Sequence, residues 1–198
     1  NWLAFVARVM NDFMGKLDIK QAHFIGNSMG GQSTIKLAID HPDRVNRFVI
    51  IGSTPVKFTV FQPMPLEAIR NIVEYYQGEG PSPRKMRQLI ESLTYDHKFI
   101  TDELVKERFE ASAAPDSVAL FRDYFPPLED LYPELTKVKA KALIIWGQDD
   151  RAGALDVGLL MLRQFQDARM YTFSKCGHWA QVEHRDEFNR VVLQFFEK

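Results

Sequence analysis

The sequence predicts an α/β fold in which four parallel strands alternate with crossover helices and a helical cap is inserted midway. Three observations carry that reading. The stretch G-N-S-M-G, Gly26 to Gly30, follows the apolar run His23-Phe24-Ile25 and precedes a helix-like run, the pattern of a strand turning sharply into a helix around a serine. Apolar runs without alternation recur at Phe48-Val49-Ile50-Ile51 and Leu143-Ile144-Ile145-Trp146, as in strands covered on both faces. Between them lie about eighty residues, rich in proline and aromatic side chains, with helical periods and no strand signal, the mark of an inserted unit.

Each element follows from local pattern. Apolar groups at Leu3, Val6, Met10, Phe13 and Met14 repeat at a helical period, predicting a helix over Trp2 to Met14 that Gly15 caps. Gln21 to Ile25 is a short buried strand. Gln32 to Ile39 is helix, stopped by His41-Pro42 because a residue before proline is pushed out of helical geometry. Phe48 to Ile51 is the second strand, closed by Gly52-Ser53-Thr54-Pro55. The inserted part contains helical segments at Leu66 to Gln77, Arg84 to Leu93 and Asp102 to Ala113. The sheet resumes at Lys141 to Trp146, followed by helix Leu155 to Gln164, strand Arg169 to Phe173 and a terminal helix Asp186 to Phe196. That last helix gathers Phe188, Val191, Val192, Phe195 and Phe196 on one side. The implied division is core 1–55, cap 56–136 and core 137–198.

The serine of the elbow points to nucleophilic chemistry. Its hydroxyl needs a base, and the base needs an orienting carboxylate. Gly26 and Gly30 are expected to give the tight turn room, and the amide of Met29, at the helix N-terminus, can face a developing oxyanion. Downstream, Trp146-Gly147-Gln148-Asp149-Asp150 carries two acids after a strand, and Ser174-Lys175-Cys176-Gly177-His178 carries a histidine after another. All three stand past the C-terminal ends of predicted parallel strands, where open sheets place ligands. The candidate triad is Ser28, Asp150 and His178, with Asp149 as the rival acid. The other histidines, His23, His41, His97 and His184, lack metal-ligand spacing, and no metal or other cofactor is expected. Cys176 reads as a small buried residue.

Composition narrows the classes further. In 198 residues, 26 acids face 25 Lys plus Arg, which leaves no basic footprint for nucleic acid. No apolar run reaches the length of a membrane span. A single cysteine allows no internal disulfide and suits a reducing, cytoplasmic setting.

Against these motifs the chain resembles the meta-cleavage product hydrolases, carbon–carbon bond hydrolases of the α/β-hydrolase fold. The matching stretches are Gly26-Asn27-Ser28-Met29-Gly30-Gly31, Trp146-Gly147-Gln148-Asp149-Asp150-Arg151, and Phe173 to Gln181 followed by Glu183-His184 and Phe188-Asn189. In the cap, Leu104 to Glu110 is similar to the family's segment with a substrate-binding arginine. The resemblance implies the C-terminal part of an α/β-hydrolase fold, with the N-terminal strands and the second oxyanion amide absent. It implies a small-molecule substrate, a 2-hydroxy-6-oxohexa-2,4-dienoate cut between C5 and C6, and a homo-oligomer in the full-length form. It favours Asp150 over Asp149 and assigns Arg108 to the substrate carboxylate. Asn27 and Trp179 are expected at the dienoate end and the pocket wall. Where the family carries a valine-proline pair after the acid, this chain has Ala152-Gly153-Ala154, which predicts a looser loop. A serine carboxylesterase on the same fold, or an inactive fragment, remain the alternatives.

Overall fold

A computed structural model describes residues 1–56, 67–123 and 129–197. The parts of the predicted cap at 57–66 and 124–128, with Pro63, Pro65, Pro126, Pro127 and the start of the helix expected from Leu66, lie outside the described residues.

The sheet has four strands in sequence order, β1 (Ala22–Asn27), β2 (Val45–Ile51), β3 (Lys141–Gly147) and β4 (Ala168–Phe173), all parallel. Alternation along each strand sorts its side chains to two cores. Phe48, Ile50, Ile144 and Trp146 face one side, where they pack with Leu3 and Ala7 of helix α1 (Trp2–Lys16), Ile35 and Ala38 of α2 (Met29–Asp40), and the later helix Leu155–Gln164. Val49, Ile51, Leu143 and Ile145 face the other side, against Phe188, Val192 and Phe195 of the C-terminal helix. Both faces are covered, so the unbroken apolar runs are those of a buried parallel sheet.

Several boundaries differ from the sequence reading: β1 runs on to Asn27, β2 begins at Val45, three residues before Phe48, and the helix expected to reach Gln77 ends at Tyr75. Gly15 does not cap α1: the helix runs on to Lys16, and the chain reverses at Asp18, whose φ is 55°. Aspartate tolerates that left-handed geometry because its short side chain bonds locally. At the elbow, α2 starts at Met29, three residues before its expected start, so Ser28 is the last residue before the first helical turn.

The inserted part is helical: α3 (Glu67–Tyr75), α4 (Pro83–Leu93), α5 (Asp102–Ser112) and α6 (Pro115–Asp123), then a single-turn segment at Tyr132–Lys137. No strand occurs among its described residues. Ser82 and Thr101 cap α4 and α5 by accepting the amides of Lys85 and Leu104. Tyr75, Met86, Ile90, Ile100 and Val105 form a small core of their own. The chain then completes the sheet with α7 (Leu155–Gln164), the short α8 (Ala180–Glu183) and α9 (Arg185–Glu197). Among the described residues, no helix is long and apolar enough to cross a membrane.

Candidate active site

Ser28 sits at φ 54° and ψ −121°, a strained setting for a residue with a Cβ. Three bonds hold it there: its amide donates to Ile51 O of the neighbouring strand (2.8 Å), and its carbonyl accepts the amides of Gly31 and Gln32. The close approach that forbids a side chain is at Gly26, where a Cβ would stand 2.5 Å from the backbone of Gly30 and Gly31. Gly30, expected to be crowded in the same way, faces open space. Met29 occupies the first position of α2, whose leading amides have no partner within the helix.

Asp150 and His178 are paired across their two loops. His178 Nδ1–H donates to Asp150 Oδ2 at 2.8 Å, and both side chains are almost fully buried. The other carboxylate oxygen, Oδ1, accepts the amides of Ala152 (2.7 Å) and Gly153 (2.9 Å). The small residues of Ala152-Gly153-Ala154 therefore hold the acid and do not loosen it, and Trp146 Nε1 anchors the same loop by donating to Gly153 O. Asp149 is exposed, so burial separates the two acids that the sequence left adjacent.

Gly52 makes the Asp–His pairing possible. It sits at φ 54°, and a Cβ there would fall 2.6 Å from His178 Nδ1 and 2.8 Å from Asp150 Oδ2. The sequence reading used Gly52 only as a strand end; its place directly after an apolar strand, facing the histidine loop, was the available signal.

Ser28, Met29, Gly52 and His178 open on one cavity of about 410 Å³ between the sheet and the inserted helices. Ile69, Ile72, Met86, Leu89 and Phe121 make its far wall. Polar groups on the lining beyond Ser28 and His178 are few. Gln32 Nε2 donates to Thr54, and Tyr75 OH pairs with Ser112 Oγ. Burial pushes the Tyr75 phenol above its ordinary value, and the Ser112 hydrogen bond partly offsets that. None of these four was singled out from sequence, because each belongs to a helix or loop whose facing depends on tertiary packing.

Three expected binding residues lie away from that lining. Asn27 Nδ2 donates to Ile51 O (3.1 Å) and to His178 O (3.2 Å), so its amide joins β1 to the histidine loop. Arg108 is exposed on α5 with its guanidinium over the Trp179 ring, 5.4 Å from the centroid. Trp179 packs against the cap clusters around Ile90 and Leu93. Arg108 and Trp179 are thus brought together, beside the histidine loop and outside the cavity's lining residues. Cys176 is fully buried and its thiol is pushed up by that burial and by the nearby carboxylate of Glu183, which leaves it protonated and a poor nucleophile.

Known proteins share this architecture. The alpha/beta hydrolase fold family matches residues 3–185. A 2-hydroxy-6-oxo-6-phenylhexa-2,4-dienoate hydrolase of Comamonas testosteroni is 40% identical over 194 residues, covering 96% of this chain and 67% of the relative. A 2-hydroxy-6-oxononadienedioate/2-hydroxy-6-oxononatrienedioate hydrolase of a Pseudomonas species is 38% identical over 196 residues, 96% of this chain and 68% of the relative. The solved meta-cleavage product hydrolase of Pseudomonas fluorescens IP01 superimposes with a TM-score of 0.83 at 32% identity, over 93% of this chain and 68% of that one. By fold and by sequence, the chain belongs to the meta-cleavage product hydrolases, the branch of the α/β-hydrolase family that cuts carbon–carbon bonds.

Proposed function

We propose that this chain hydrolyses the C5–C6 bond of a 2-hydroxy-6-oxohexa-2,4-dienoate with Ser28 as nucleophile, His178 as proton carrier and Asp150 as its orienting carboxylate. The observation that carries the reading is that Ser28 and His178 open on a single cavity while the buried Asp150 holds His178 Nδ1 from outside its lining. The enol proton of the substrate moves to C5, converting the enol to a ketone; His178 is the group within the site able to shuttle it. Ser28 Oγ then attacks the C6 carbonyl while His178 takes its proton, and the Met29 amide faces the developing oxyanion. Collapse breaks the C5–C6 bond and leaves an acyl-serine, while His178 returns its proton to the departing dienolate, which leaves as a 2-hydroxypenta-2,4-dienoate. Water, deprotonated by His178, frees the carboxylic acid. Overall one water is consumed and one C–C bond is broken.

Arg108 is assigned to the substrate carboxylate, since a guanidinium binds a carboxylate bidentately and its stacking on Trp179 fixes it beside the histidine loop. The far wall of the cavity, apolar apart from Tyr75, Tyr76 and Ser112, supports an apolar 6-substituent. The test is the loss of dienoate absorbance on mixing, with a 6-phenyl and a 6-carboxyalkyl dienoate compared. Turnover abolished by Ser28→Ala and by His178→Ala is the expected result. Hydrolysis of simple esters with no dienoate turnover would replace this reading by a serine carboxylesterase.

A further inference from the structure

The loops that carry Asp150 and His178 both grip one short stretch of the inserted part, residues 91–96 at and after the end of α4. From the acid side, the Arg151 guanidinium donates to Thr94 O (3.0 Å) and to Glu91 O, and pairs with Glu67 at the start of α3 (2.9 Å). From the histidine side, His178 N donates to Leu93 O at 2.7 Å. The third grip comes from Glu183, on α8. Its Oε2 accepts the amides of Tyr95 (2.7 Å) and Asp96 (3.1 Å), and its Oε1 accepts the amide of Gly177 (2.8 Å). Cys176 Sγ lies 3.9 Å from the same oxygen.

We propose that Glu183 is a positioning residue for His178, tying the amide of the preceding residue, Gly177, to the cap segment 95–96. The reading rests on His178 acting as the proton carrier. The physical case is geometric. A carboxylate offers about four acceptor sites, and amide donors to an ionised oxygen make shorter, stronger bonds than neutral pairs. Glu183 spends these sites on one segment through one oxygen and on the other segment through its second oxygen. Two consecutive amides are therefore held, Gly177 N by Glu183 and His178 N by Leu93 O. The backbone that carries the imidazole cannot shift away from Asp150 without breaking one of these. When the inserted helices shift to admit substrate, segment 91–96 moves the peptide that carries the base, and Glu183 keeps the two in register. Without it, the amide before His178 is released, and the histidine is left to its bonds with Leu93 O, Asn27 Nδ2 and Asp150 Oδ2, of which the first follows the cap.

The experiment measures kcat and KM for the full chain carrying Glu183→Ala, Glu183→Gln and His178→Ala, with the folded fraction of each determined so that kcat is expressed per folded molecule. Misplacing a proton carrier by about 1 Å lowers rate on the order of 100-fold, so kcat of Glu183→Ala is expected to fall by about 10–100-fold with KM changed by less than about threefold. Glu183→Gln keeps one carbonyl oxygen, satisfies one of the two segments and recovers part of the loss. A merely stabilising glutamate would lower the folded fraction and leave kcat per folded molecule alone; kcat within about twofold for both variants overturns the proposal. If Glu183→Ala does not fold, Glu183→Gln is judged by the same criterion. Turnover retained by His178→Ala overturns the functional reading; turnover lost there but kept by the Glu183 variants overturns the positioning role alone.

Discussion

Replacing Asp150 by asparagine separates geometry from charge at the centre of the site. Asp150 Oδ1 accepts two amides, from Ala152 and Gly153, and Oδ2 accepts His178 Nδ1–H. Asparagine has one oxygen and one NH₂ for these two sides. With its NH₂ toward Ala152 and Gly153, donors would face donors and two buried amides would go unsatisfied, at about 1–3 kcal/mol each. The opposite orientation keeps both amide bonds and is favoured by roughly 2–6 kcal/mol. It presents an NH₂ to His178 Nδ1, which must then accept, so the ring proton moves to Nε2. A protonated Nε2 cannot take the serine proton. The same substitution in the chymotrypsin-type triad lowers kcat by about 10⁴ with the geometry intact, equivalent to about 5.4 kcal/mol at 1.36 kcal/mol per decade. The expected outcome here is that loss in dienoate turnover, with an unchanged circular dichroism spectrum. Asp149→Asn, on the exposed neighbour, should keep turnover. The reasoning fails if Asp150→Asn retains turnover within about tenfold of the parent, or if Asp149→Asn loses more.

What sequence made legible follows from which features are local. The elbow is local: Gly26, Ser28 and the start of α2 fall within a few residues, and the close backbone approach at Gly26 demands the glycine there. The sheet is legible because strands buried on both faces are forced to be continuously apolar, as at Phe48–Ile51 and Leu143–Trp146. Helix α6 was missed because it is short, opens on Pro115 and adjoins a run ending in Pro126-Pro127, so it resembles loop. The choice between Asp149 and Asp150 needs burial, which adjacency in sequence cannot supply. Nothing in the pattern around Glu183 marks it as an acceptor, since its partners Tyr95 and Asp96 are 88 and 87 residues away and contribute only backbone amides. Asn27 shows the limit of resemblance. Motif comparison supplied the residue, but only the fold shows its amide committed to Ile51 O and His178 O.

Further perturbations test the remaining assignments. Ser28→Ala should lower turnover by several orders of magnitude while substrate binding persists, as measured by dienoate absorbance in rapid mixing; near-parental turnover would remove Ser28 from the mechanism. Gly52→Ala should destabilise by about 1–3 kcal/mol in urea titrations through overpacking against His178 and Asp150, and should lower kcat; an unchanged kcat would mean the pair can shift without consequence. Arg108→Ala should raise KM for dienoates and spare neutral esters, whereas equal losses would limit the arginine to its stacking on Trp179. The last expectation concerns the free sheet edge. Among the described residues, the strand order leaves β1 at one side with only β2 beside it, and Ile25 on that strand is 53% exposed. Helix α1 adds Phe5, Val9 and Phe13, and its C-cap Leu17, each about half exposed or more. An unpaired apolar edge is a template for another chain, and exposed apolar patches of this kind mark association surfaces. The 198-residue chain alone should therefore self-associate at concentrations on the order of tens of micromolar, as read by light scattering behind size exclusion. Ile25→Lys puts a charge on the edge, the device by which natural edge strands resist pairing, and should shift the chain toward monomer. A parent chain that stays monomeric over that range would show that β1 and α1 are shielded by some means other than a partner.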